Sequence, residues 1–313
     1  MANQIINRML KLKTRPMMGN VSPENFELVE EEVRDIEDGE ILIKNLFLSF
    51  DPTQRGWLND VPSYIPPVKI GEIMRASSVG RVIESKNENF SIDDIVQGSF
   101  GWQEYAISGD EKGFMPPRKL PEGITPTSAL SIYGVTGLTA YFGMIDIGKP
   151  EKNNTVLISG AAGATGSVAG QIARIKGATN VIGIAGGSDK CKWVVEEAGF
   201  DSCIDYKNED VAKRVTELAP KGLDIYFDNV GGSILEIALG NIAQKARVVM
   251  CGGISSGYTM ERLAPGPSTV FNLIIQRGRM EGFIVLDYAE QFPHAIMEFC
   301  LLYTSDAADE LTS

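Results

Sequence analysis

Residues 155–170 read TVLISGAAGATGSVAG, a short apolar strand, a glycine-rich turn and the start of an amphipathic helix. Its glycines fall at Gly160, Gly163, Gly166 and Gly170. A phosphate bound by backbone needs N–H groups with no side chain in the way, at a helix N-terminus where the dipole favours negative charge. Glycines three apart between a strand and a helix meet that need. The spacing is GxxGxxG rather than GxGxxG, but the strand–turn–helix context marks a dinucleotide-binding turn.

The chain around this turn alternates strand and helix. Val181–Ala185 predicts the next strand, and Ser188 is placed to cap a helix that runs to Gly199. Ser202–Asp205 predicts a third strand, and Asn208 a cap for a helix ending at Pro220. Leu223–Asp228, Arg247–Met250 and Glu281–Val285 predict further strands. This alternation implies βαβ units, hence an α/β fold with a doubly wound parallel sheet. Before about residue 126 the texture differs. Phe26–Val29, Glu40–Leu48, Ala76–Glu84, Ile95–Val96 and Trp102–Ile107 predict short strands, separated by turn signals such as Asp38-Gly39, Asp51-Pro52 and Pro66-Pro67. That segment reads as an irregular, mostly antiparallel β domain.

The end of the second strand bears on cofactor choice. NAD enzymes place an acid there to bind the ribose 2′-hydroxyl. Here the strand runs into Ile184-Ala185-Gly186-Gly187-Ser188, with no acid at its tip and Lys190 two residues further on. Both features favour the 2′-phosphate of NADP. The fourth and fifth strands end in Asp228-Asn229-Val230-Gly231-Gly232 and Cys251-Gly252-Gly253-Ile254-Ser255, whose small and polar residues leave room for a ribose and a nicotinamide.

Composition narrows the function classes. The 313 residues include 29 Lys and Arg against 41 Asp and Glu, a net charge of −12, which argues against nucleic acid as a partner. His294 is the one histidine. The four cysteines, Cys191, Cys203, Cys251 and Cys300, are scattered and read as reduced thiols. Residues 1–190 contain neither Cys nor His, so a catalytic zinc site with nitrogen and sulfur ligands cannot be assembled there. No apolar run predicts a signal peptide or a membrane span, and a cytoplasmic protein without membrane association is expected.

The stretches LSFDPTQRGW, PPVKIGEIMRASSVGRV, GVTGLTAYFG, SGAAGATGSVAGQIARIKG, GIAGGSDKCKW, DNVGG, CGGIS and RMEGFIV carry a resemblance. To about residue 300 the chain resembles the medium-chain dehydrogenase/reductase superfamily. It looks most like the zinc-independent branch of NADP-dependent alkenal and enone reductases, which includes prostaglandin and curcumin reductases. The resemblance implies a GroES-like substrate domain over residues 1–126, a Rossmann NADP-binding domain over 127–300, and an atypical tail over 301–313, disordered or foreign to the family. Relatives continue past this point and return to the β domain, so the ending predicts an unpaired sheet edge or an exposed apolar patch there.

The resemblance also implies site residues. Gly163, Ala164, Thr165 and Gly166 would hold the pyrophosphate, and Lys190 and Tyr206 the 2′-phosphate. Asn229, the loop Cys251, Gly252, Gly253, Ile254, Ser255, Ser256 and Gly257, and Phe283, Ile284 and Val285 would line the ribose and nicotinamide. The implied reaction is metal-free hydride transfer from NADPH to the β-carbon of an α,β-unsaturated ketone or aldehyde. A phenol would hydrogen-bond the enolate oxygen. Tyr64 ranks first for that role, followed by Tyr258, with Tyr133 a further candidate and Thr136 beside the nicotinamide. Some animal relatives carry a tyrosine before RMEGF, where this chain has Ile274-Ile275-Gln276-Arg277-Gly278. A homodimer is expected. Quinone reduction and non-catalytic NADPH binding stand as alternatives.

Overall fold

The computed structural model describes residues 4–16, 20–110, 115–257 and 266–302. The chain forms two compact units, the first running to Leu130 and also taking in Gly257, the second running from Ser131 to Ser256 and resuming after that return.

In the first unit, β1 (Ile6–Leu12) and β2 (Phe26–Glu32) pair as an antiparallel hairpin, from Ile6 opposite Glu32 to Leu12 opposite Phe26. A five-stranded antiparallel sheet follows. It comprises β3 (Glu40–Leu48), β4 (Ser78–Ser85), β5 (Ile95–Gly98), β6 (Tyr105–Gly109) and β7 (Arg118–Lys119), in the order β6-β3-β4-β5-β7. Ile41, Ile43, Val82, Val96 and Ala106 point to one side and close a core with Phe90 and Phe100. The alternation read from the sequence is this inward face. The expected strands are present, with β4 starting at Ser78 and β6 at Tyr105; β1 and β7 had not been anticipated.

The second unit is built on six parallel strands: β8 (Thr155–Ser159), β9 (Asn180–Ala185), β10 (Ser202–Asp205), β11 (Leu223–Asp228), β12 (Ile242–Met250) and β13 (Arg279–Gly282). Their order is β10-β9-β8-β11-β12-β13. The strands are apolar almost throughout because both faces are covered. Val156 and Ile158 join one buried cluster, while Leu157 between them joins the other. Phe227 and Tyr226 divide in the same way. The Ala164–Ile175 helix lies against the first cluster through Val168, Ala169, Ile172 and Ala173. Gly170 lets it sit flush: a Cβ there would fall 1.9 Å from the Phe200 ring.

Several predicted boundaries are corrected. Ser188 is the first residue of the Ser188–Glu196 helix rather than its cap. Gly187 occupies the cap position at φ +99°, and no side chain caps the helix. Asp210, not Asn208, caps the Val211–Leu218 helix, accepting the Lys213 N–H at 3.1 Å. Asn208 is drawn back to β10, where its Nδ2 donates to Asp205 Oδ2 at 2.6 Å. The last strand ends at Gly282, and Val285 opens a helical turn instead. Leu301 and Leu302, assigned to the tail, belong to the Phe292–Leu302 helix. Residues 303–313 lie outside the described residues.

Candidate functional site

From β8 the chain winds outward to β9 and β10 on one side and to β11, β12 and β13 on the other. The carboxyl ends of β8 and β11 therefore flank the topological switch point, where open parallel sheets bind ligands. The glycine-rich turn leaves β8 there.

The turn is shaped by close approach. Gly160 sits at φ +63° and its carbonyl accepts the Gly163 N–H at 2.9 Å. A Cβ on Gly166 would lie 2.3 Å from that carbonyl oxygen, so the helix starts against the turn only with glycine here. Gly163 is the helix N-cap and has no side chain to offer, and Gly163 and Ala164 are exposed. The first helical N–H groups, those of Ala164, Thr165 and Gly166, are thus left without a capping side chain. Such a terminus accepts an anion. The cradle fits the pyrophosphate of a dinucleotide.

The β9 end carries a second feature. A shallow cavity of about 230 Å³ is lined by Ala162 from the turn and by Asp189, Lys190 and Trp193 from the Ser188–Glu196 helix. Among the described residues no ion pair engages the exposed Lys190 ammonium. Tyr206 lies elsewhere on this rim. Its half-exposed ring packs on Gly186, where a Cβ would approach it to 2.7 Å. Asp205 ties the two strand tips together: its Oδ1 accepts the Gly187 N–H at 2.8 Å and the Lys207 N–H at 3.0 Å. The Gly187 N–H, with Asn208 adding to it, holds this carboxyl below its ordinary range.

Across the switch point, Asn229 is fixed by β8. Its Nδ2 donates to Ser159 O at 2.7 Å, and its N–H to Ser159 Oγ at 2.8 Å. The following loop is tied back as well, with Ile254 N–H donating to Asn229 O at 3.3 Å and Ser255 N–H to Val230 O at 3.0 Å. Ser256 Oγ donates to Gly253 O at 2.7 Å, and Gly257 turns at φ +67°. A cavity of about 480 Å³ opens beside β12 and β13, lined by Met250, Cys251, Gly252, Gly282, Phe283, Ile284 and Asp287. The structure therefore gathers Cys251, Gly252, Phe283 and Ile284 as expected. It does not bring Val285 there: that side chain is 8% exposed and packs in the core. Burial, with the Asp228 charge adding to it, pushes the Cys251 thiol up to about 12, so it is a neutral packing group rather than a nucleophile.

Tyr64 belongs to the first unit. Its half-exposed hydroxyl accepts the Trp57 Nε1–H at 3.0 Å and is hydrogen-bonded to Thr53 Oγ1. The Arg75 guanidinium lies 5.4 Å from the Trp57 ring, and burial lowers its pKa. Tyr258 lies outside the described residues. Tyr133 packs edge-on against Phe299, and burial followed by Cys300 raises its pKa, as befits a partly buried residue set against the core. Thr136 Oγ1 donates to Ser131 O at 3.1 Å. Ser159, Asp228, Trp193 and Asp287 had no assigned role in the sequence reading. The run DNVGG holds Asp228 in plain view, but nothing in the pattern distinguishes a buried carboxylate from an exposed one.

Among the described residues no cluster of His, Cys, Asp and Glu is placed to hold a metal ion, and no helix is long and apolar enough to cross a membrane. Residues 8–116 match the family described as the N-terminal domain of oxidoreductase, and residues 164–300 the family described as zinc-binding dehydrogenase. The chain is 39% identical to the NADPH-dependent curcumin reductase of Escherichia coli over 94% of its own length and 84% of that protein. It is 35% identical to prostaglandin reductase 1 of Bos taurus over 92% and 85%. The crystal structure of CurA in complex with NADPH from Vibrio vulnificus superposes with a TM-score of 0.87, at 36% identity, covering 96% of this chain and 89% of that one. With a GroES-like β unit, a Rossmann unit and these relatives, the chain belongs to the medium-chain dehydrogenase/reductase superfamily, in its zinc-independent enone reductase branch.

Proposed function

We propose that the protein reduces the C=C bond of α,β-unsaturated ketones and aldehydes with NADPH, without a metal. The observation that carries this reading is the glycine cradle with its uncapped helix start at the switch point, beside a β9 tip that lacks an acid and is followed by Lys190. Relatives named as NADPH-dependent curcumin reductase and prostaglandin reductase support the substrate class.

In this reading Gly163, Ala164, Thr165 and Gly166 hold the pyrophosphate through backbone N–H groups. Lys190 and Tyr206 hold the 2′-phosphate. Asn229, the 251–257 loop, Phe283 and Ile284 enclose the ribose and nicotinamide. NADPH, when bound, supplies the hydride that ends on the substrate's β-carbon. Tyr64 hydrogen-bonds the carbonyl oxygen as enolate charge builds there. Its oxygen already accepts from Trp57, so the phenol proton is what Tyr64 has to offer the substrate. Residues 1–126 act as the substrate domain and 127–300 as the cofactor domain.

A cytoplasmic homodimer is part of the proposal. The four cysteines are free, which suits a reducing compartment. β13 ends its sheet, and Phe271, Ile274 and Ile275 nearby are more than half exposed, an edge and apolar surface suited to a second copy. The test of the activity is loss of NADPH absorbance with an enone, a quinone and, in reverse, an alcohol with NADP⁺. Turnover with the enone is expected. Turnover with the quinone alone, or NADPH binding with none of the three reacting, overturns the proposal.

A further inference from the structure

Asp228, at the end of β11, is completely buried. Its Oδ1 accepts from the Tyr226 hydroxyl at 2.7 Å, the Ser159 hydroxyl at 3.0 Å, the Val230 N–H at 2.9 Å and the Gly231 N–H at 2.8 Å. Its Oδ2 is buried without a hydrogen-bond partner, and among the described residues no Lys or Arg pairs with it. Buried carboxylates are ordinarily paired with a cation or a metal. This one is held by four neutral donors on one oxygen, two of them N–H groups at the start of the Gly232–Gly240 helix, and no side-chain cation offsets its net charge.

The main chain of Asp228 is hydrogen-bonded directly to the wall of the larger cavity. The Asp228 carbonyl accepts the N–H groups of Cys251 and Gly252, each at 2.9 Å, and both residues line the cavity. The charge is felt there, since it adds to burial in raising the Cys251 thiol. Tyr226, also fully buried, responds in the same direction to burial and then to this charge.

We propose that Asp228 is a fixed counter-charge that favours the oxidised, cationic nicotinamide over the neutral reduced one, and so strengthens the drive for hydride donation. The inference rests on the reading that this cavity takes the nicotinamide of NADPH. Hydride transfer breaks a C–H bond of the dihydronicotinamide and forms one at the substrate's β-carbon. The ring is oxidised, its charge rises by one, and the enone is reduced to an enolate that a solvent proton completes. A negative charge on the residue that anchors the cavity wall, with no side-chain cation to offset it, stabilises the side of this exchange that carries the ring cation. Asp228 touches neither reactant in this scheme and acts as a positioning charge.

The test is calorimetric titration of the full chain with NADPH and with NADP⁺, in the absence of substrate. Asp228→Asn keeps an oxygen for the four donors and removes the charge. We expect the ratio of Kd for NADP⁺ to Kd for NADPH to rise about tenfold, the scale of one unit charge acting over roughly 12 Å at an effective dielectric of about 20. That ratio corresponds to roughly 30 mV in the two-electron potential of the bound nucleotide. Tyr226→Phe provides a second arm that survives if the first variant does not fold. It deletes one donor, leaves the charge less screened, and should move the ratio the opposite way, about two- to threefold. An unchanged ratio in a variant that still binds both nucleotides, as a purely structural role requires, overturns the inference and leaves the functional reading intact. Failure of the unaltered chain to bind either nucleotide overturns both.

Discussion

Asn229 and Ser159 clasp each other across the switch point, side chain to main chain in both directions: Asn229 Nδ2 donates to Ser159 O, and Ser159 Oγ accepts the Asn229 N–H. Ser159 Oγ also donates to Asp228. One hydroxyl therefore joins the tips of β8 and β11, between which the dinucleotide would lie. Ser159→Ala leaves a buried N–H unpaired and takes one donor from a buried carboxylate. A loss of about 1–3 kcal/mol is expected, read as a lower urea midpoint at unchanged slope, together with weaker NADPH binding. Wild-type stability in this variant would show that the clasp is incidental.

Lys190→Ala should weaken NADPH binding about ten- to a hundredfold, since a hydrogen bond to a charged group contributes about 1.5–3 kcal/mol. NADH affinity should stay within about twofold. Titration of both nucleotides separates the cases, and parallel losses would remove Lys190 from the phosphate site. Trp193, which shares the cavity, offers a fluorescence signal for the measurement.

The turn glycines should fail in different ways. At Gly163 a Cβ meets only the Gly160 carbonyl oxygen, at 3.2 Å, and φ is −87°, which any residue adopts. Gly163→Val should therefore fold and lose NADPH binding. At Gly166 the same oxygen lies 2.3 Å away, so Gly166→Ala should lower the melting temperature by several degrees. The pair of thermal melts, with and without nucleotide, checks both.

How much of this was legible beforehand varies with the kind of signal. The parallel sheet could be read because strands covered on both faces are apolar runs, and the turn because glycine spacing is a backbone requirement. The helix starts at Ser188 and Val211 were misread by one and two residues. Gly187 accepts φ +99° and Asp205 recruits Asn208, and both are tertiary facts. Val285 was placed with the cavity because it continues RMEGFIV, yet the strand ends at Gly282 and the chain turns inward. Asp228 could not be ranked at all, since its burial and its unpartnered oxygen exist only once β8, β11 and β12 are aligned.

Tyr64→Phe should lower kcat about a hundredfold and leave NADPH affinity unchanged, because in the proposed reaction the phenol is needed only as enolate charge develops. Single-turnover reduction of an enone after saturation with NADPH is the measurement. An unaltered rate would return Tyr64 to its packing partners Trp57 and Thr53.

Cys251 should resist alkylation at pH 8, reacting at least about a hundredfold more slowly than a free thiol, because little of it is thiolate. The folded chain keeps this proton where the unfolded chain releases it. Stability should therefore fall as pH rises from about 8.5, the ordinary thiol value, towards about 12. Cys251→Ser should flatten that slope in urea titrations across the same range. Rapid alkylation would mean that the thiol is solvated.

The Phe200 ring fills the space where a side chain on Gly170 would stand. Neither position is free to vary by itself. A methyl group at 170 has room only if the ring at 200 shrinks, and a smaller residue at 200 alone opens a void beside the helix that follows the glycine turn. Two single steps are each harmful while the double exchange is tolerable, so drift at this site is expected to proceed in pairs. Relatives that carry alanine at the position of Gly170 should then be those with a smaller residue opposite.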